Sequence, residues 1–163
     1  MEKDYLKELG LLGLIARLKR ISDTMLYSIR DLYKLKGFDI EPNWHIVFLQ
    51  LKKYKTRTMT EISDSLKLSQ PAVVKMINKM KEKGYIDVIA DSTDNRKKQI
   101  QLSKKAKIKL PEFENVWQGG QATIGDLLFE NKTFVRQLEN IENLLDEKNF
   151  KDRVIEKIDT NQL

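Results

Sequence analysis

The run from residue 60 to residue 102 constrains the fold of this 163-residue chain most strongly, because two short helical patterns there precede two alternating ones. The first helical pattern can be capped by Thr60 and gives way to a turn at Leu68-Ser69, where Ser69 suits the N-cap of the second. In the second pattern, apolar side chains recur at i, i+4 and i+7, at Val73, Ile77 and Met80. It ends at Gly84, a typical helix stop. Two helices joined by so short a turn predict a helix-turn-helix unit.

Two alternating segments follow this helix pair and are separated by turn residues. Residues 85–89 alternate well enough for a strand, and residues 97–102 alternate again, with Ile100 and Leu102 inward. Residues 91–95 combine Asp, Ser, Thr and Asn, which favour turns. A β-hairpin directly after a helix pair predicts a winged helix-turn-helix, with the hairpin as the wing.

A long helical pattern precedes this unit. Residues 4–36 contain no proline, and their apolar positions step by three, four and seven residues until Gly37 stops the pattern. A helix of that length overhangs a small domain and needs a partner along its length. Residues 42–55 predict a second helix that is apolar on nearly every side, as a central buried helix is.

Helical patterns also follow the unit. Residues 104–129 predict one helix, interrupted or kinked near Pro111 and Gly119-Gly120, residues 132–147 a second, and residues 150–158 a short third. Residues 110–163, which hold most of these segments, carry a net charge of −5 and are striped with leucine and isoleucine, so they are repelled by phosphate and need an apolar partner. Pairing with the same helices of a second chain satisfies both demands.

Positive charge is concentrated around the helix-turn-helix pattern. The whole chain has 30 basic and 24 acidic side chains, a net charge of +6. Residues 50–109 hold 16 basic and 6 acidic side chains, a net charge of +10, whereas residues 1–49 carry +1 and residues 110–163 carry −5. A segment this basic indicates a surface for a polyanion. Lysines that merely solvate a surface give the same composition, so the pattern within the segment decides.

The outward positions of the second helix carry side chains that can read DNA. The major groove admits one helix, whose first turns meet base edges. Glutamine can pair with adenine, lysine with guanine or phosphate, and proline and valine can touch thymine methyl groups. A serine at the helix N-terminus can hold a phosphate. The predicted contacts from this helix are Ser69, Gln70, Pro71, Val74, Lys75 and Lys79.

At these residues the chain resembles the MarR (multiple antibiotic resistance regulator) family of bacterial transcription factors. The resemblance is carried by residues 59–63, by residues 68–86, and by the wing over residues 91–96 and 101–103. It is closest over residues 43–106, and the flanking long helices agree with the family's dimerisation domain. The chain departs from the family pattern at three positions. Ser63 replaces a common alanine, Lys67 occupies a turn position often held by glycine, and Ala106 stands where the family usually has glycine.

The resemblance implies roles for the wing. In the family the wing arginine, here Arg96, enters the minor groove, and the aspartate two residues before it, here Asp94, steadies the wing. A basic wing tip that continues into Lys97 and Lys98 favours DNA over a merely solvated hairpin charge. These four residues complete the predicted DNA contacts.

The resemblance also implies an effector pocket where the helix of residues 42–55 meets the first and fifth helices. Its candidate lining residues are Met25, Phe38, Trp44, His45 and Phe48. Trp44 fits a core position as well as a pocket, and His45 fits a partly exposed polar position as well as a ligand contact. Both interpretations stay open at the level of the sequence.

Absent residue types exclude several classes of function. With no cysteine, the chain has no disulfide, no thiol-based sensing, no thiolate zinc site and no cysteine nucleophile. His45 is its one histidine, which argues against a histidine metal cluster or a catalytic triad. We therefore expect no enzymatic activity, no catalytic residue, no metal and no cofactor. No apolar run approaches the roughly 18 residues of a membrane span and the N-terminus lacks a signal-peptide pattern, so we expect a cytoplasmic protein without membrane contact.

These observations predict a sequence-specific DNA-binding regulator that acts as a ligand-responsive repressor on a pseudo-palindromic operator. Its expected partners are double-stranded DNA, a second copy of the chain as a homodimer, and a small-molecule effector. Residues 37–106 form the predicted DNA-binding domain, and residues 1–36 and 107–163 the dimerisation domain. The predicted fold class is mainly α with a small β-hairpin wing, a winged helix-turn-helix plus a long-helix dimerisation domain. The alternative is a winged-helix protein-interaction module without specific DNA binding.

Overall fold

The computed structural model describes residues 3–90, 98–129 and 131–160, which form helices and one small sheet. The chain divides into two compact units, Met1–Glu112 and Phe113–Leu163. The first unit contains the sheet and the helix-turn-helix, and the second is helical. The mainly α winged-helix class predicted from the sequence is confirmed. Among the described residues, no helix is long and apolar enough to cross a membrane.

The N-terminal helical stretch is broken near its start, so the prediction of one helix over residues 4–36 is wrong there. Helix α1 is a single turn, Tyr5–Glu8, a 3₁₀ turn follows at Gly10–Gly13, and α2 runs over Leu14–Leu35. At its other end α2 stops as predicted, where Gly37 has a φ of +69°.

Two glycines explain the break. Gly10 has a φ of +55°, a conformation that favours glycine over other residues. A Cβ atom on Gly13 would lie 2.1 Å from the carbonyl oxygen of Leu6, so the chain can approach itself here only with glycine. An ion pair of 2.7 Å between Arg20 Nη2 and Asp4 Oδ2 then holds the start of the chain against α2.

Helix α3 is the central helix of the first unit. A 3₁₀ turn at Pro42–Trp44 leads into it, and it runs over His45–Tyr54. Its fully buried side chains are Val47, Phe48 and Leu51. The predicted helix is confirmed, but it is buried on one side only, because Leu49 and Tyr54 are 43% and 44% exposed.

The helix-turn-helix consists of α4, Met59–Leu66, and α5, Gln70–Glu82. A capping box starts α4 at Thr58, where the Glu61 N–H donates to Thr58 Oγ1 at 3.2 Å and the Thr58 N–H donates to Glu61 Oε2 at 2.7 Å. Thr60, the predicted cap, lies within α4 instead. The hydrogen bond from the Thr58 backbone is the main cause that lowers the pKa of the Glu61 carboxyl group.

The turn between α4 and α5 begins with a residue in the left-handed conformation. Lys67 has a φ of 50° and a ψ of 36°, and its N–H donates to the carbonyl oxygen of Asp64 at 3.2 Å. The Leu68 N–H donates to the carbonyl oxygen of Ser63 at 3.1 Å. This geometry is the physical reason for glycine at such a position, because glycine adopts it without strain.

Replacing Lys67 by glycine is expected to stabilise the chain by up to about 1 kcal/mol. The substitution removes the strain of a side chain in the left-handed region, which costs about 1–2 kcal/mol. This gain is partly offset by the greater conformational freedom of glycine in the unfolded chain, which costs about 0.4–1 kcal/mol. The midpoint of urea unfolding measures the change. Lys36→Gly is the control, because Lys36 ends α2 with a φ of −84° and gains nothing from glycine. A lower midpoint for Lys67→Gly than for Lys36→Gly would contradict this explanation.

The wing belongs to a three-stranded antiparallel sheet of spatial order β1-β3-β2. The strands are β1 Thr56–Arg57, β2 Ile86–Ala90 and β3 Lys98–Leu102. Arg57 pairs with Ile100 in one ladder, and Ile86 pairs with Leu102 in the other. Ile100 and Leu102 are buried, as predicted, whereas the pairing of β1 with the hairpin was not predicted.

The C-terminal helices carry apolar side chains that remain exposed. Helix α6 runs over Lys104–Leu127 without a break at Pro111 or Gly119-Gly120, so the predicted interruption is absent. Helix α7 is Thr133–Glu147 and α8 is Phe150–Thr160, and neither has a buried residue. The predicted apolar stripe of α7 is 40–51% exposed and consists of Phe134, Leu138, Ile141 and Leu145.

Candidate nucleic-acid interface

Helix α5 has one buried face and one exposed face. Its buried side chains, at most 1% exposed, are Val73, Ile77 and Met80. The opposite face, called the α5 face below, presents the exposed residues Gln70, Pro71, Val74, Lys75 and Lys79. The structure therefore brings together on one surface the five side chains of α5 that the sequence singled out.

The Ser69 hydroxyl lies at the N-terminus of α5, which is the positive end of the helix dipole. Ser69 has an extended backbone and its carbonyl accepts the Val73 N–H at 3.1 Å. Pro71 fits the first turn, where its missing N–H costs no hydrogen bond. Ser69 is the N-cap residue of α5, as predicted, but its side chain makes no capping hydrogen bond. The exposed hydroxyl lies where a phosphate is stabilised by the helix dipole.

Gly84 stops helix α5, as predicted, two residues after the last helical residue, Glu82. Gly84 has a φ of +74°, and its N–H donates to the Lys81 carbonyl at 2.8 Å. The Tyr85 N–H donates to the Met80 carbonyl at 2.9 Å. This left-handed ending satisfies the last carbonyls of the helix and turns the chain directly into β2.

The sheet places one of the four predicted wing residues. Lys98 is exposed at the first position of β3, where it pairs with Ala90 at the outer end of the ladder. Asp94, Arg96 and Lys97 lie outside the described residues, so their roles in the wing remain predictions.

A basic cluster that was not predicted lies where α3 leads into β1. Its cations are Lys52, Lys53, Lys55 and Arg57. The centroid of the Tyr54 ring lies 3.9 Å from the Arg57 guanidinium carbon and 4.9 Å from Lys53 Nζ. Hydrogen bonding to Lys53 is the main cause that lowers the pKa of Tyr54. Four cations within six residues are the sequence signal that identifies the cluster.

Two clefts lie beside the α5 face. The first has a volume of about 380 Å³ and is lined by α2, by the turn before α3 and by α5, through residues that include Arg30, Trp44, Lys75 and Met76. The second has a volume of about 360 Å³ and shares Arg30, Glu41, Trp44 and Lys79 with the first. A contact of 3.4 Å between Arg30 Nε and Glu41 Oε2 lies on the shared wall.

The clefts contain two of the five predicted effector residues. Trp44 lines both clefts and Phe38 lines the second, although Trp44 is only 4% exposed and packs in the core as well. Met25, His45 and Phe48 line neither of these two clefts. Phe48 is completely buried, and His45 Nδ1–H donates to a backbone carbonyl three residues before it at 2.7 Å.

Comparison with known proteins identifies relatives of this fold. Residues 38–97 match the model of the MarR family. The YusO protein from Bacillus subtilis is 25% identical, with 91% of this chain and 99% of that chain covered and a TM-score of 0.50. A mutant E. coli MarR complexed with operator DNA is 19% identical, with 89% and 98% covered and a TM-score of 0.60. The M. tuberculosis transcriptional regulator MOSR in complex with DNA is 16% identical, with 82% and 96% covered and a TM-score of 0.69.

These comparisons agree with the motifs in the sequence. No curated protein matches the chain. The family match nevertheless spans α3, α4, α5 and β2, which contain the residues of the helix-turn-helix. The solved structures share the fold over most of both chains. Residues 38–97, which contain the helix-turn-helix, are therefore similar to the MarR family of transcriptional regulators, and the fold is shared with solved structures of such regulators.

Proposed function

We propose that the chain is a sequence-specific DNA-binding repressor that acts as a homodimer on a pseudo-palindromic operator. The observation that carries the proposal is the α5 face, whose polar, basic and small apolar side chains lie opposite a fully buried face of the same helix. Such a helix can enter the major groove while its other face stays packed in the domain. The net charge of +10 on residues 50–109 attracts phosphate.

In this proposal Gln70 and Lys75 read bases. The amide of Gln70 can bond to adenine N6 and N7, and the ammonium group of Lys75 can bond to guanine O6 and N7. Pro71 and Val74 are small enough to touch thymine methyl groups. Ser69 and the N-terminus of α5 hold a phosphate, which fixes the register of the helix in the groove.

A second copy of the chain is the partner proposed for the exposed apolar stripes. The stripe on α2 is 37–50% exposed and consists of Leu14, Leu18, Ile21, Met25 and Leu32. Exposed apolar surface costs about 25 cal/mol per Å² relative to buried surface, so stripes of this kind favour burial against a partner. A two-fold dimer sets its two α5 helices roughly 34–36 Å apart, which matches successive major grooves on one side of the DNA.

A small-molecule effector is proposed to act at the cleft of about 380 Å³ between α2 and α5. Lys75 and Met76 of α5 line this cleft, so a ligand there contacts the helix that enters the groove. A ligand shifts the equilibrium only if it binds one arrangement of α2 and α5 better than another. An effector that prefers a spacing unsuited to the operator therefore releases the DNA.

Selection of bound sequences from a random pool of DNA duplexes tests the proposal. We expect enrichment of an inverted repeat whose half-sites are centred about 10–10.5 base pairs, or a multiple of that spacing, apart. In vitro transcription from a promoter that carries the enriched sequence is expected to fall when the chain is added. Absence of any enriched sequence would contradict specific binding, and increased transcription would contradict repression.

Gln70→Ala and Lys75→Ala are each expected to weaken operator binding by about 1–3 kcal/mol per base contact and to relax the preference at one position of each half-site. Affinities for the operator and its single-base variants measure the effect. Lys81→Ala is the control, because it removes the same charge from another exposed position of α5. Identical profiles for Lys75→Ala and Lys81→Ala would contradict base reading by Lys75.

Substitution of Arg96 is expected to affect DNA binding differently from substitution of Gln70 or Lys75. An arginine in the minor groove contributes to affinity with little base information, and Asp94 steadies the loop that carries it. Lys97 and Lys98 are proposed to contact phosphate beside it. Arg96→Ala is therefore expected to weaken binding to all sequences by a similar factor while the dimer stays intact.

A further inference from the structure

A polar cluster surrounds the end of α5. The carboxylate of Asp39, in the loop after α2, accepts hydrogen bonds from the Tyr85 hydroxyl and, at 3.1 Å, from Lys105 Nζ. Lys105 Nζ also donates to the backbone carbonyl of Lys83 at 2.8 Å and lies 3.9 Å from the centroid of the Tyr85 ring. Asp39, Tyr85 and Lys105 are called the Asp39 cluster below.

The Asp39 cluster is attached to the junction between α5 and the wing. Lys83 follows α5, Gly84 makes the turn, and Tyr85 leads into β2. Ser103 Oγ donates to the Gly84 carbonyl at 2.7 Å and the Ser103 N–H donates to the Tyr85 carbonyl at 3.0 Å, so Ser103 and Lys105 bond the carbonyls of all three junction residues. The bond from the Tyr85 hydroxyl to Asp39 adds an attachment that joins the junction to the loop after α2.

The bond between Tyr85 and Asp39 supplements a packed core. Tyr85 is 2% exposed, and its ring lies edge-on to Phe48 and Trp44 at centroid distances of 5.5 and 6.2 Å. Burial, and then the bond to Asp39, raises the pKa of Tyr85, so the hydroxyl remains a donor. Partial burial acts to raise the pKa of Asp39, but hydrogen bonds from Tyr85 and Lys105 outweigh it and lower that pKa, so the carboxylate remains an acceptor.

We propose that Asp39 is a positioning residue for operator binding, because its hydrogen bonds orient α5 and the wing relative to the loop after α2. The inference rests on the proposed function, in which α5 and the wing enter two grooves of one duplex. Both contacts form at once only in molecules whose junction is correctly oriented, so operator affinity scales with the fraction of such molecules. Non-specific binding depends on phosphate contacts and net charge instead.

If Asp39 acted only through its charge, its removal would change the affinity for DNA in the opposite direction. Removal of the Asp39 carboxylate makes each protomer more positive by one charge, which strengthens its attraction to DNA phosphate. Because the Asp39 side chain is 46% exposed, its replacement leaves the buried core in place. Weaker operator binding together with unchanged or tighter non-specific binding therefore distinguishes positioning from charge.

The test measures the Kd of the full chain for the selected operator and for a scrambled duplex at one salt concentration. Asp39→Ala is expected to weaken operator binding about tenfold, the order of effect of one lost charge-assisted hydrogen bond, without weakening binding to the scrambled duplex. Tyr85→Phe keeps the packed ring and is expected to show the same selective loss. Asp39→Asn keeps an acceptor and is expected to restore part of the affinity that Asp39→Ala loses.

The charge-matched control is Asp31→Ala. Asp31 forms an exposed ion pair of 3.2 Å with Lys34 on α2, so its removal changes the charge equally without touching the Asp39 cluster. Its operator affinity is expected to be unchanged or slightly tighter.

Three outcomes are decisive. If Asp39→Ala and Tyr85→Phe bind the operator as the wild type does, or lose affinity equally for both duplexes, the positioning role is overturned. If Asp39→Ala does not fold, as judged by thermal unfolding, Tyr85→Phe decides alone because it retains the ring. A wild-type chain that does not distinguish the two duplexes overturns the proposed function instead.

Discussion

Raising the salt concentration from 50 to 200 mM is expected to weaken operator binding by about 10³-fold or more. Each neutralised phosphate contributes about −0.9 to the slope of log K against log salt concentration. Lys79, Lys97 and Lys98 are the proposed phosphate contacts in each protomer, and six such contacts in a dimer give a slope of about −5 before Arg96 is counted. Fluorescence anisotropy of a labelled operator at several salt concentrations measures this slope.

Substitution of one lysine tests the origin of the slope. Lys79→Gln removes one contact per protomer and is expected to make the slope less negative by about 1.8 in a dimer. Lys132→Gln, within the acidic residues 110–163, is the control and is expected to leave the slope unchanged. A winged-helix module that binds only protein has no such slope, so a flat salt response of the wild type contradicts DNA binding.

Phe48→Ala is expected to lower the free energy of unfolding by about 3–5 kcal/mol. Phe48 is completely buried on α3, and its ring lies edge-on to the Tyr85 ring at 5.5 Å. Removing the ring loses its transfer free energy and leaves a cavity that close-packed neighbours fill only in part. Since whole domains are stable by only about 5–15 kcal/mol, the loss is a large fraction of the total. Urea unfolding followed by far-UV circular dichroism measures it.

The neighbouring Leu49 provides the control for Phe48. Leu49 is 43% exposed on the same helix, and Leu49→Ala is expected to cost about 1 kcal/mol or less. The comparison tests whether Phe48 contributes to the core as its burial indicates. A Phe48→Ala variant that is as stable as Leu49→Ala would contradict the core assignment.

The helix-turn-helix was predictable because its signals are local. The spacing of Val73, Ile77 and Met80 identifies the buried face of α5, and the exposed face then follows from the geometry of a helix. The alternation of Ile100 and Leu102 likewise gives the inward face of β3. In these elements the hydrophobic period and the tertiary fold agree.

Errors at element ends have identifiable causes. The break before Leu14 depends on the positive φ of Gly10 and the close approach at Gly13, which an apolar period does not report. The start of α4 was predicted at Thr60, although a local signal for Thr58 is present in the sequence, because Thr58 and Glu61 have the spacing of a capping box. Strand β1 has only two residues and is defined by its pairing with β3, which no local pattern reports.

Contacts between residues far apart in the sequence could not be predicted from local patterns. The bond between Tyr85 and Asp39 joins residues 46 positions apart, and that between Lys105 and Asp39 joins residues 66 apart. The sequence does not separate Phe48 from Trp44 as cleft-lining residues for a related reason. Both are large apolar residues of one segment, and the packing of α3 decides which of them lines a cleft.

The central claim, that the α5 face reads bases, is tested most directly by one affinity ratio. The ratio compares the selected operator with a scrambled duplex of equal length at one salt concentration, in the wild type and in the Gln70→Ala, Lys75→Ala double variant. We predict a wild-type ratio of about 10³ or more and a much smaller ratio in the double variant, with little change on the scrambled duplex. A wild-type ratio near unity, or a ratio that the double variant retains, would contradict the claim.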